Sequence, residues 1–97
     1  MTTPVYSDLP HKSVSANGAT TISTVSGILG GVVLSASNGN TLNGKVTLAD
    51  NTGTIQVWGA GTVAQSVIFN SDYAQPLTVT LTASTGSDYV TVMAGPV

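Results

Sequence analysis

His11 is the only imidazole in the chain, and it lies between Pro10 and Lys12, distant in sequence from anything that reads as a nucleophile. A Ser-His-Asp arrangement assembles in space, so spacing alone does not exclude one, but no Gly-x-Ser-x-Gly elbow is present to hold a serine for attack. Asp8, Asp50, Asp72 and Asp88 are the only side-chain carboxylates. Paired, they would serve acid–base chemistry, and joined by Asn51 or Asn70 they would offer oxygen ligands to calcium. No contiguous ligand loop exists, however, and Asp50 and Asp88 fall in or beside turns, where aspartate caps its own backbone. The glycines of Gly27-Ile28-Leu29-Gly30-Gly31 and Gly59-Ala60-Gly61 lack the lysine and the following helix of a phosphate loop. These residues therefore point to no catalytic group, no cofactor and no metal site.

The aromatic residues are Tyr6, Trp58, Phe69, Tyr73 and Tyr89. Exposed Trp and Tyr rings combine a large contact area with a polar handle, which suits an interface anchor or a surface for stacking on a sugar. Tyr6, His11, Trp58 and Tyr73 are accordingly the candidate interface residues. Trp58 alternates away from Ile55 and Val57, which places it outside the core or at an intersubunit contact; a shift of register would bring it inside.

Composition narrows the partners. The 97 residues carry two lysines, four aspartates, no Arg, no Glu and no Cys, for a net charge of -2. Nucleic-acid binding needs several clustered cations to displace condensed counterions, and two separated lysines do not supply them. An anionic membrane surface is disfavoured for the same reason, and no apolar run approaches the roughly 18 residues of a membrane span. The first residues, MTTPVYSDLP, show neither a basic nor an apolar signal region, so the chain reads as made in the cytosol. Without cysteine, stability must come from packing or from partner subunits. Soluble domains usually carry charge on about a quarter to a third of their surface, and this chain has 6% charged residues in all, which favours a constitutive assembly component.

The elements that must carry these residues are strands. Met1 to His11 has two prolines and no periodicity and reads as an extended N-terminal arm, with residues 12–97 forming one domain. From Lys12 onward, β-branched runs alternate with turn signals at spacings of roughly eight to twelve residues, the pattern of an all-β sandwich or barrel. The expected strands are Lys12–Ala16, Thr20–Val25, Ile28–Ala36, Lys45–Ala49, Thr54–Trp58, Thr62–Phe69, Leu77–Ala83 and Tyr89–Ala94. Gly30-Gly31 interrupts the third and marks a bulge or a close backbone approach. Ile55 and Val57 are expected inward, as are Val63, Val67 and Phe69, and residues 70–76 read as a connection. In Leu77–Ala83 the apolar residues alternate strictly with threonines, so its two faces are unambiguous. The fold class is thus all-β, a single antiparallel β-sandwich of about eight strands, jelly-roll-like.

From Ser26 onward, the runs SGILGGVVLSASNGN, KVTLADNTGTIQVW and GTVAQSVIFNSDYAQPLTVTLTASTGSDYVTVMAG cover about three quarters of the chain and resemble a recurring kind of small structural protein of tailed-bacteriophage virions. The resemblance implies a capsid decoration, or cement, protein with a jelly-roll-like sandwich. Such a protein binds the major capsid protein on the exterior of the head, stabilises it, and associates with itself as a homotrimer. It would be made in the host cytoplasm, reside in the virion and perform no catalysis. The chain lacks the arginines common in capsid-bound proteins, so charge would not drive that contact. Two alternatives are a tail, neck or head-fibre component and a carbohydrate- or receptor-binding module in which Trp58 and a tyrosine form the sugar platform.

Overall fold

The computed structural model describes residues 9–36, 40–82 and 88–96, and among these it contains eight strands and no helix. They are β1 (His11–Val14), β2 (Gly18–Ser23), β3 (Gly27–Ser35), β4 (Lys45–Asp50), β5 (Gly53–Trp58), β6 (Ser66–Tyr73), β7 (Leu77–Thr82) and β8 (Tyr89–Gly95). Two antiparallel sheets of four result, sheet A in the order β1-β8-β3-β6 and sheet B in the order β2-β7-β4-β5. Strands therefore pair first with last, second with seventh, third with sixth and fourth with fifth. That nested pairing is the jelly-roll order, one long antiparallel ribbon rolled so that its two halves face each other.

Alternation decides which side chains lie between the sheets. In β7, Leu77, Val79 and Leu81 are buried, while Thr78 and Thr80 lie on the other face. Sheet A contributes Val14, Leu29, Val32, Leu34, Val90, Val92 and Ala94 to the same core, and β4 adds Val46 and Leu48. Each fully buried aliphatic side chain stabilises the fold by about 1.5–3 kcal/mol, so this layer is the main source of stability in a chain without disulfides.

Besides a shift between Thr21 and Ser23 in the β2–β7 ladder, two irregularities reset the alternation. In β3, both neighbouring ladders shift between Leu29 and Gly31: Gly30 is an extra residue against β8, while β6 spends one residue more than β3 between Ile68 and Ser71, and Leu29 and Val32 both face inward although three positions apart. Asn70 lies in β6 beside this shift at a φ of 51°, a left-handed conformation that asparagine tolerates better than most residues. In β5, Gln56 pairs with Leu48 and Thr54 with Ala49, leaving Ile55 as the inserted residue. Simple alternation therefore holds for Ile55 and is corrected for Val57 and Trp58. Ile55 packs against the core, Val57 is 45% exposed, and Trp58 turns inward at 6% exposure.

The expected strand over residues 62–69 is displaced as well. Residues 61–65 instead bond to an earlier loop and to the end of β3: Gly61 N–H donates to the Leu42 carbonyl, Leu42 N–H to Thr62, Ala64 N–H to Asn40 and Gln65 N–H to Leu34. The strand proper runs from Ser66 through the polar stretch Asn70-Ser71-Asp72 to Tyr73. That stretch was expected as a connection because an edge strand can show polar residues to solvent without losing its inner ladder. Val67 and Phe69 pack on the core as expected, whereas Val63 is exposed. A cis Gln75-Pro76 bond precedes β7.

Glycine is required where β3 begins. A Cβ on Gly27 would overlap the Gly95 carbonyl and meet Pro96 N at 2.8 Å, all of it backbone. At the other end of the chain, Leu9 is buried and the Pro10 carbonyl accepts the Ala94 N–H at 3.0 Å, so the sandwich already holds the chain ahead of β1.

Candidate functional site

The four candidate interface residues do not come together. Tyr6 lies outside the described residues. His11 is exposed on edge strand β1, opposite Met93. Trp58 is in the core, its ring meeting Phe69 edge-on at a centroid distance of 6.2 Å and an angle of 78°. Tyr73 is also buried, and its hydroxyl donates to Ser23 Oγ at 2.9 Å, tying the end of β6 to the end of β2. Replacing Tyr73 with Phe keeps the ring and removes that bond, so it should cost about 1 kcal/mol in denaturant unfolding. Trp58 and Tyr73 thus join the two sheets, and neither ring is presented to a stacking ligand.

Two of the three described aspartates, Asp50 and Asp88, hold backbone amides in separate places. Asp50 Oδ1 accepts the Thr52 N–H at 2.9 Å and the Thr52 hydroxyl at 2.5 Å, closing the β4–β5 turn on itself. Its Oδ2 accepts the Ala74 N–H at 2.9 Å and so links that turn to the β6–β7 connection. The Ala74 N–H and then the Thr52 hydroxyl hold the Asp50 carboxyl below the usual carboxylate range, against a smaller opposing effect of burial. A carboxyl depressed in the folded state stabilises above its unfolded value near 3.8, and the contribution is lost as pH falls through the lower folded value. Asp50→Asn should accordingly lower the urea midpoint at pH 7, with the gap to wild type narrowing as pH falls below the unfolded value near 3.8.

Asp88 is fully buried at the start of β8, and its Oδ2 accepts the N–H groups of Asn43 at 2.7 Å and Gly44 at 2.9 Å. It fixes the loop that leads into β4. Asp72 is exposed on β6. Among the described residues no three His, Cys, Asp or Glu side chains gather as metal ligands. An open depression of about 340 Å³ beside the end of β3 is lined by residues such as Val33, Ser35, Ala64, Gln65 and Ser66, none of them titratable.

What the fold presents outward is two charge-poor sheet faces. On sheet B, Thr21, Thr78 and Ala49 form one row, Thr80, Thr47 and Val57 the next, and Thr82 stands opposite Lys45. On sheet A, Ile68, Gly31, Met93 and His11 align across all four strands, Ile68 and His11 exposed and the central Gly31 and Met93 buried, flanked by a row of Ser66, Val33, Thr91 and Ser13. Ser13 Oγ and Thr91 Oγ1 share a hydrogen bond of 2.8 Å in that second row. Ile68 is 73% exposed and Tyr89 47%, both on this outer face. Neither was among the candidates, although the available signal was plain: Ile68 falls opposite Val67 and Phe69, an apolar residue on the solvent side of its strand. No protein-family model matches the chain, and comparison with curated proteins and with solved structures finds no match in either.

Proposed function

We propose that this protein is a capsid decoration protein of a tailed-bacteriophage virion, which binds the exterior of the head through the major capsid protein, associates with itself as a homotrimer and stabilises the shell without catalysis. The observation that carries the reading is the outer face of sheet A. It is nearly free of charge and exposes Ile68 and Tyr89 on either side of the buried Gly31 and Met93. Large exposed apolar side chains on a charge-poor face suit attachment to a protein surface. The resemblance from Ser26 onward supports the same reading. Repeated over many copies, individually weak contacts reinforce a shell through avidity, and binding to the intact shell favours it by mass action.

A tail, neck or head-fibre component would use the same sandwich at a symmetry axis, and abundance separates the two. Quantitative mass spectrometry of purified particles should find this chain in a copy number comparable to that of the major capsid protein. A handful of copies per particle would move it to the tail or neck. The carbohydrate-binding alternative loses its platform with Trp58 and Tyr73 buried.

A further inference from the structure

Among the described residues, the two flanks of the sandwich carry exposed charges of opposite sign. Strand order puts the edge strands β1 and β2 on one flank and β5 and β6 on the other. A contact across the sheets marks each flank, Lys12 Nζ donating to the Thr21 carbonyl at 3.2 Å on the first and Trp58 against Phe69 on the second. His11 and Lys12 are exposed on the first flank, so its seam carries a cation. The second flank carries exposed Asp72 on β6 and, at the turn into β5, half-buried Asp50, whose carboxylate is bonded to Thr52 and Ala74. Of the other described charges, Lys45 starts the central strand β4 and Asp88 is buried, so neither belongs to a flank.

We infer that copies of this chain associate head to tail, the β1/β2 flank of one against the β5/β6 flank of the next. Opposite charges then meet at each contact, whereas pairing like flank with like would place cation on cation or acid on acid. Each edge strand has one strand neighbour, so main-chain groups along β1 and β6 are placed to bond across the contact. A contact between two different surfaces closes into a ring when the rotation between copies permits. The inference deepens the self-association within the proposed function and rests on a separate observation, the opposed charge of the flanks.

Sedimentation of the full chain in low and high salt tests it. Wild type should assemble with rising concentration and more weakly in high salt, because exposed charge pairs are screened. Asp72→Lys, an exchange on an exposed edge residue, should raise the dissociation constant about ten-fold, and Lys12→Asp similarly. The double variant Lys12→Asp/Asp72→Lys restores the opposition and should return to within about three-fold of wild type. A wild type that stays monomeric, single variants that assemble unchanged, or a double variant as weak as either single would overturn the inference. Wild-type monomers that still saturate heads would overturn it while leaving the decoration reading intact; assemblies that ignore heads would do the opposite.

Discussion

Trp58→Ala should cost about 3–5 kcal/mol of stability, because it removes the largest side chain of the core and leaves a cavity where β5 meets β6. A domain of this size has on the order of 5–10 kcal/mol in total, so the variant should be close to unfolding at physiological temperature. Trp58→Phe keeps an aromatic ring facing Phe69 and should recover much of the loss. Thermal unfolding of the three proteins checks the point, together with the tryptophan emission of the wild type, which should be blue-shifted and move red on unfolding. An exposed Trp58 would give the opposite pattern, with an unchanged melting temperature and a binding defect.

Asp88→Ala is the second large effect, expected at about 2–4 kcal/mol, since it strips the Asn43 and Gly44 N–H groups of their shared acceptor in a buried place. For a domain of about 100 residues each kcal/mol moves the melting temperature by roughly 4–8 °C, so a fall of more than 10 °C is expected. Asp88→Asn retains an oxygen able to accept both bonds and should lie between the two. Hydrogen exchange should localise the damage: amides of the loop before β4 should lose protection ahead of the centre of the sheets.

The strands with strict alternation were legible from residue types alone. Leu77–Thr82 could be read directly because threonine stands opposite every buried aliphatic, and the turns at Asn17-Gly18 and Asp50-Asn51-Thr52-Gly53 end in glycines at positive φ. The face of Trp58 was not legible, because one inserted residue reverses every side chain beyond it and nothing in the run Thr54 to Trp58 marks Ile55 as that insertion. β6 was misplaced for a related reason. Asn70-Ser71-Asp72 has loop composition, and only the ladder to β3 makes it strand. The candidate residues fared less well than the fold, since a ring's usefulness at an interface depends on burial, and burial depends on register. Tyr73 and Trp58 were drawn inside, while Ile68 and Tyr89, apolar or aromatic on outward positions, remain exposed.

Charge tells a similar story. The scarcity of charge was visible at once, but the placing of Lys12 and Asp72 on opposite flanks exists only after the ribbon is rolled. His11 and Lys12 sit near one end of the chain and Asp72 far along it, and strand order sets β1 and β6 at opposite edges of sheet A.

The measurement closest to the central claim is titration of the purified protein onto isolated heads from its source, with bound copies counted per major capsid protein and the heat resistance of the heads recorded alongside. The account predicts saturable binding at a copy number comparable to the capsid protein, heads that survive to higher temperature, and loss of both on Ile68→Asp. Heads that bind none, or only a few copies without gain in heat resistance, would contradict it.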